Sequence, residues 1–362
     1  MNIIISAGGT GGHIYPAISI INKFKEKEKN VNVLYIGTHN RMEKDIIPAL
    51  GIRYEAIEIY GFSKTQIVRD FKNIFLIGKA ISKCKKLMKE FKPDVVIGVG
   101  GYVTMPVIVA AKSLGIKCVL HEQNSIPGKT NKMLAKNTDL VCTSYVNSNK
   151  YFKTAKKVVF TGNPCGENAL TTKKINKKDL GLSNKKKLVL IVSGSLGSAT
   201  INNFFVEYLS LIEDSEDYEI LYITGNNYYD DVAKDIVYSK NVHLVKYIDN
   251  LSGLLGSVDL MISRAGAGTL SEILATETPS ILIPSPYVAN NHQYYNALEA
   301  KEKGVALLIE EKDLNANQLY VIVNELLQKD NKDYQKMKEK LAKLDMKNSG
   351  TIIYNEIKEI LK

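Results

Sequence analysis

The residues of this sequence that could do chemistry gather in short loops. The first reads Gly8-Gly9-Thr10-Gly11-Gly12-His13, between an apolar run, Asn2 to Ala7, and an amphipathic one, Ile14 to Glu28. Glycine lets a backbone turn sharply and approach a ligand closely. The first N–H groups of the following helix have no partner inside it, so they suit an anion or a polar ligand. His13 adds either a structural hydrogen bond or a base suited to deprotonating a sugar hydroxyl. Two familiar phosphate loops do not fit. The dinucleotide pattern G-x-G-x-x-G fails because Ile14 follows Gly9 and Gly11 where the third glycine should stand. The P-loop fails because Gln123 precedes Gly128-Lys129-Thr130 where its first glycine should stand.

Five further loops carry more such residues. "GVGGYVTMP" carries Gly98, Gly100, Gly101 and Tyr102, a candidate phosphate or acceptor loop. "HEQNSIPG" opens with His121, which reads as buried and structural, and carries Glu122, the second candidate base. "SGSLGSAT" opens a helix whose N–H groups from Ser195 to Ser198 could cradle a diphosphate. "SRAGAGTLSE" opens another, and its Glu272 could accept both hydroxyls of a ribose or simply complement a helix dipole. In "PSPYVANNHQ", His292 and Gln293 could hold a sugar or cap a helix. No Cys/His cluster and no D-x-D pair points to a metal.

The elements that must position these loops alternate. Apolar strand candidates at 2–6, 31–36, 53–58, 95–98, 118–121, 140–142 and 158–161 are separated mostly by helical stretches. A polar, lysine-rich passage over 161–187 reads as a linker. Strands near 188–193, 219–223, 242–245, 259–262, 280–283 and 305–308 form a second alternating series, and 315–362 is helical. Alternation implies parallel sheets with right-handed crossovers. The sequence therefore predicts an α/β protein of two doubly wound domains facing each other across a cleft. Ligands in such sheets sit outside the carboxyl ends of the strands, and the five further loops all fall at those ends.

Composition narrows the class. At 362 residues and 45% hydrophobic, the chain can bury two cores. No apolar run approaches the ~20 residues that span a bilayer, and no signal-peptide layout opens it. Cys84, Cys118, Cys142 and Cys165 are scattered, as in a reduced cytosolic setting. A net charge of +10 points to an anionic partner. The stretch 69–92 reads as one helix with Phe71, Ile74, Ile77, Ile81, Cys84, Met88 and Phe91 as its buried stripe. On its other side fall Lys72, Phe75, Leu76, Lys79, Lys83 and Lys86, which form either a membrane-surface patch or a solvated lysine face.

Taken in order, "GGTGGH", "GVGGY", "HEQN", "TGNP", "GSLGS" and "RAGAGTLSE" closely resemble the MurG family of bacterial peptidoglycan glycosyltransferases, along essentially the whole chain. The resemblance implies a GT-B fold of two Rossmann-like domains. Residues 1–163 would form an acceptor and membrane-associating domain, 164–345 a UDP-GlcNAc-binding domain, and 346–362 a helix crossing back to the first. It implies UDP-GlcNAc as donor and lipid I (undecaprenyl-pyrophosphoryl-MurNAc-pentapeptide) as acceptor, giving lipid II with inversion. It also implies a peripheral place on the cytoplasmic face of the membrane, against anionic inner-leaflet lipid, with no cofactor and no nucleic acid. Carried over by position, Thr10, Gly11, Gly12 and Asn124 would lie by the donor sugar and Ser195 at the diphosphate. Ile248 would lie by the uracil, with Ala267, Gly268 and Thr269 lining the same pocket. Glu272 would meet the ribose and Gln293 the sugar, with His13 or Glu122 as base. The sequence departs from the family at Gly166, where many members carry an arginine that touches the donor. A transferase acting on a diacylglycerol-type lipid and a UDP-GlcNAc 2-epimerase remain the alternatives.

Overall fold

The computed structural model describes all residues except 62–66, 194–198 and 235–237, and the side chains of all of these except 67–72. The chain forms two compact units. Unit 1 is Met1–Cys165 with Asn348–Lys362, and unit 2 is Gly166–Lys347.

The first part of the chain runs β1 (Asn2–Ala7), α1 (Gly11–Lys27), β2 (Asn32–Thr38), α2 (Glu43–Ala49), β3 (Arg53–Ile57), α3 (Ile67–Phe91), β4 (Val95–Gly100), α4 (Thr104–Ser113), β5 (Lys117–Glu122), α5 (Lys129–Leu134), β6 (Leu140–Thr143), β7 (Val158–Phe160) and α6 (Pro164–Thr171). It continues β8 (Lys187–Val192), α7 (Ala199–Leu209), β9 (Tyr218–Ile223), α8 (Tyr229–Ala233), β10 (Val242–Val245), β11 (Leu260–Ser263), α9 (Ala267–Ala275), β12 (Ser280–Leu282), α10 (His292–Glu302), β13 (Leu307–Leu308), α11 (Ala316–Leu326), α12 (Lys332–Ala342) and α13 (Ser349–Ile360).

Unit 1 holds a parallel sheet in the order β3-β2-β1-β4-β5-β6-β7. Its strands are covered on both faces, which is why they read as unbroken apolar runs. Successive side chains of β1 enter opposite cores, as the two-residue period of a strand requires. Ile3 and Ile5 pack with Ile14, Ala17, Ile21 and Phe24 of α1 and with Ile353 and Ile357 of α13. Ile4 packs with Ala80, Cys84 and Met88 of α3 and Val107 and Ile108 of α4. α13 is held to unit 1 by an edge-on contact of Tyr354 with Phe24 at 5.1 Å, by Tyr354 and Lys358 on Glu28 at 2.8 Å each, and by Lys157 between Glu356 and Glu359.

Unit 2 holds a second parallel sheet in the order β10-β9-β8-β11-β12-β13. Val189 and Ile191 of β8 pack with Phe205 and Tyr208 of α7 and with Leu319 and Val323 of α11.

Two local expectations change. α1 begins at Gly11, so Gly11, Gly12 and His13 are its first turn and only Gly8, Gly9 and Thr10 remain as the strand-to-helix link. The passage after Thr161 is not plain linker, because α6 lies within it.

Candidate functional site

Each sheet reverses its strand order once. In unit 1 the reversal lies between β1 and β4, and in unit 2 between β8 and β11. Loops leaving the carboxyl ends of such strand pairs flank a natural ligand crevice. In unit 1 these are the Gly8–Thr10 link and the Gly101–Val103 segment.

The two unit 1 loops interlock. The Gly8 N–H donates to the Gly100 carbonyl at 3.3 Å. Gly100 and Gly101 have φ of +121° and +85°, a region that favours glycine. A Cβ on Gly101 would collide with the Gly8 carbonyl oxygen, and one on Gly100 would stand 2.6 Å from Cδ2 of His13. So the "GVGGY" glycines are there because a backbone and an imidazole lie against them. Thr104 locks the same corner by donating to the carbonyls of Gly100, at 2.9 Å, and Ser6, at 3.3 Å.

His13 is half-buried, with Nδ1 3.1 Å from the Gly8 carbonyl oxygen. A carbonyl can only accept, so the neutral ring carries its proton on Nδ1 and its lone pair on Nε2. That is the tautomer a general base needs. α1 has no side-chain cap at Thr10 and no acidic residue in its first turn. Its opening therefore favours an anion or a polar ligand.

One residue of this corner has no signature in the sequence. Glu43, the first residue of α2, is fully buried. Its Oε2 accepts the Gly9 N–H at 3.2 Å, and its Oε1 accepts the Thr38 N–H at 3.1 Å and hydroxyl at 2.7 Å. A Cβ on Gly8 would stand 2.6 Å from Oε1. A glutamate opening a helix reads as a dipole partner, which hides this role.

Glu122 does not have the access its place in the sequence promised. It is buried and accepts the Asn124 N–H at 3.0 Å, the Asn124 amide at 3.3 Å, the Gly128 N–H at 3.1 Å and the Asn131 amide at 2.9 Å. Burial pushes its carboxyl up, and these four donors pull it back. The carboxylate builds the loop that presents Asn124, and its oxygens are already occupied. His121 is buried and structural. Its Nε2 lies 3.2 Å from the Gly162 carbonyl and its Nδ1 3.1 Å from the Gln123 amide, and burial drops it to about 4.

In unit 2, Ser195 falls outside the described residues. The other switch-point loop leads into α9, whose opening turn holds Ala267, Gly268 and Thr269. Its N-cap Gly266 offers no side chain, and its first turn has no acid. Glu272 is the sixth residue of α9, beyond the first turn where a dipole role would place it. Burial pushes it up to about 7, and the Ser252 hydroxyl, donating to Oε1 at 3.0 Å, lowers it only in part. Ile248 is half-buried in the segment after β10. Gln293 is the second residue of α10, and its Oε1 accepts the Ser285 N–H at 2.9 Å, tying down the loop after β12. His292 Nδ1 lies 2.8 Å from the Ala289 carbonyl, a local turn contact. Arg264 is paired with Glu311 at 2.6 Å and touches the Ile283 carbonyl.

Among the described residues, no three His, Cys, Asp or Glu side chains gather as a metal site would.

The descriptions "Glycosyltransferase family 28 N-terminal domain" and "Glycosyltransferase family 28 C-terminal domain" match residues 3–143 and 188–349. A protein of Bacillus cytotoxicus, named UDP-N-acetylglucosamine–N-acetylmuramyl-(pentapeptide) pyrophosphoryl-undecaprenol N-acetylglucosamine transferase, is 41% identical over 100% of both chains. One of the same name from Halalkalibacterium halodurans is 39% identical over 100% of both. The chain belongs to glycosyltransferase family 28, and within it to the MurG family. The crystal structure of Acinetobacter baumannii MurG superposes with a TM-score of 0.77 at 26% identity, covering 99% of each chain. A UDP-GlcNAc 2-epimerase from Neisseria meningitidis shares the fold at a TM-score of 0.67 and 14% identity, over 99% of this chain and 100% of that one. Both units thus have the GT-B pattern.

Against the family's usual sequence, Gly166 has a physical explanation. A Cβ there would stand 2.8 Å from the Ser271 carbonyl oxygen and 3.1 Å from the Ala275 Cβ. α6 approaches α9 so closely that an arginine at this position would require the helices to separate.

The family's lipid-linked chemistry draws attention to α3, and here the face differs from the one the spacing gave. Leu76 is buried, so it is not part of a surface patch, while Ile74, expected inside, is 60% exposed beside Phe75 at 64%. The buried line runs Asn73, Leu76, Ala80, Cys84, Leu87. Asn73 anchors it by bonding both backbone groups of Tyr60, at 2.9 and 2.6 Å. Lys79 sits over the Phe75 ring at 4.8 Å, and Lys86 is exposed. Lys83 is engaged within the fold, donating to the Ala56 carbonyl at 2.8 Å and lying 3.6 Å from Glu55. The Lys72 side chain lies outside the described residues. Among the described residues, no helix is long and apolar enough to cross a membrane.

Proposed function

We propose that this chain transfers GlcNAc from UDP-GlcNAc to the 4-hydroxyl of MurNAc on undecaprenyl-pyrophosphoryl-MurNAc-pentapeptide, with inversion. The observation that carries the reading is the 41% identity to a transferase of that name over the full length of both chains. The acceptor oxygen attacks the anomeric carbon as the bond to UDP breaks, and its proton passes to Nε2 of His13. The electron pair of the broken bond goes to the β-phosphate oxygen. Helix-terminal N–H groups answer that charge, as preorganised donors do at developing anions. In this reading Glu272 accepts the ribose hydroxyls, Ile248 lies by the uracil, and Ala267, Gly268 and Thr269 line the nucleotide pocket. Ser195 meets the diphosphate. Thr10, Gly11, Gly12, Asn124 and Gln293 contact the sugar, and Gly98, Gly100, Gly101 and Tyr102 form the acceptor loop. Glu122 is left to its loop.

The reading also places the protein on the cytoplasmic face of the membrane, through α3. Ile74 and Phe75 enter the headgroup boundary, and Lys79 and Lys86 face anionic lipid.

Incubation with UDP-GlcNAc and a short-chain acceptor analogue tests the function, with mass spectrometry of the lipid fraction. The GlcNAc-MurNAc product is expected. Conversion of UDP-GlcNAc to UDP and a free 2-epimer with no disaccharide would favour the epimerase reading instead.

A further inference from the structure

One peptide group joins two ionisable side chains in unit 1. The carbonyl of Gly8 faces Nδ1 of His13 at 3.1 Å, and the N–H of Gly9 faces Oε2 of Glu43 at 3.2 Å. These C=O and N–H groups belong to the same planar unit. In a trans peptide they point in opposite directions. Glu43, the Gly8–Gly9 peptide and His13 therefore form a line: carboxylate, N–H, carbonyl, imidazole.

We propose that Glu43 is a positioning residue for His13, acting through the Gly8–Gly9 peptide. This rests on the reading of His13 as the base. A carboxylate accepting the Gly9 N–H polarises the peptide and makes the Gly8 oxygen a stronger acceptor, as linked hydrogen bonds do in a low-dielectric site. That holds the proton on Nδ1 and the lone pair on Nε2. The arrangement does the work of a carboxylate bonded directly to a histidine, with one peptide inserted between them.

The surroundings fit. Glu43 is fully buried, and its three bonds all come from donors, the other two from Thr38. The Gly8 carbonyl is confined by Gly101, where no Cβ fits. The titratable groups facing Glu43 from the neighbouring strands are Tyr35 of β2 and Tyr54 of β3. Burial, and then the Glu43 charge, raise both hydroxyls. They stay neutral at working pH and bond outward, Tyr35 to the Ala7 carbonyl and Tyr54 to the Thr38 carbonyl. Asp45 on α2 is exposed. Glu43 is thus the charge that the Gly8–Gly9 peptide meets.

Nitrogen-15 NMR of the histidine ring in the full chain reads the tautomer directly. In wild type, the His13 spectrum should show a protonated Nδ1 and an unprotonated Nε2. Glu43→Gln should mix the tautomers and lower kcat about tenfold, while the KM for UDP-GlcNAc changes little. Because Glu43 acts through His13, Glu43→Gln should cost nothing further in a His13→Ala background. A wild-type ring protonated on Nε2 would overturn the inference even if Glu43→Gln does not fold. So would an unchanged tautomer and kcat in a folded Glu43→Gln. Near-wild-type kcat in His13→Ala is a different failure: it would remove His13 as base and leave the tautomer result standing.

Discussion

The carboxylates of the two units teach different lessons. In unit 1, Glu43 and Glu122 are buried with three and four hydrogen bonds respectively, all from donors of neighbouring loops and element ends. In unit 2, Glu272 is pushed up to about 7 by burial and has a single hydroxyl to offset it. A buried carboxylate with many donors is part of the scaffold. One with few donors keeps capacity to accept from a ligand. Unit 1 therefore presents a finished frame around His13, whereas Glu272 of unit 2 keeps acceptor capacity that the proposed reading gives to a nucleotide ribose.

Removing the proposed base should produce the largest effect. His13→Ala should lower kcat by roughly 10²–10⁴-fold, the usual worth of general base catalysis. Calorimetry should find its affinity for UDP unchanged. A kcat near wild type would break the contrast at its centre.

Glu122→Gln probes whether a carboxylate rich in donors is scaffold. An amide in its place leaves donors facing a donor, so stability should fall by about 3 kcal/mol in chemical denaturation. The folded protein should keep its kcat. A loss of kcat comparable to that of His13→Ala, with stability intact, would make Glu122 the base.

Glu272→Ala should weaken UDP-GlcNAc binding by about 1.5–3 kcal/mol, the range for a hydrogen bond to a charged group. The pH dependence sharpens this. Ribose hydroxyls donate to the ionised form, so affinity should rise as pH increases through about 7, and Glu272→Gln should flatten that rise. Stability of the unliganded chain should run the other way. The folded-state value lies above the ordinary carboxyl value of about 4.5, so the protonated folded form contributes stability below 4.5 that is lost as pH rises through about 7. Calorimetric affinities independent of pH in wild type would remove Glu272 from the ribose.

The smallest effect belongs to α3. An Ile74→Ser, Phe75→Ser double variant should sediment less with anionic vesicles, and high salt should weaken wild-type binding, since each lysine near the surface contributes about 1 kcal/mol. Turnover on a water-soluble acceptor should survive. Equal sedimentation of both proteins in low and high salt would leave α3 a solvated face.

The strands were legible because buried parallel strands are written as unbroken apolar runs, and the loops because glycines and chemistry-bearing residues follow those runs. What stayed hidden was polar and buried. Asn73 lies on the inner line of α3, and a stripe drawn from apolar residues alone was rotated until it put Ile74 inside and Leu76 outside. Glu43 carries no motif, and its meaning comes from Gly8 and Thr38, which only the fold brings to it. Glu122 reads from the sequence as an accessible base, because Gly128 and Asn131, which donate to it from the N-cap and first turn of α5, lie along a path that spacing does not give. The start of α1 reads late in the sequence because Gly11 and Gly12 are weak helix formers.

The configuration of the new glycosidic bond tests the central claim most directly. A base that deprotonates the acceptor for a single displacement at the anomeric carbon inverts it. Proton NMR of the purified disaccharide product, made by wild type from UDP-GlcNAc and a short-chain acceptor, should show a β-linked GlcNAc. An α-linked product would contradict a His13-driven single displacement.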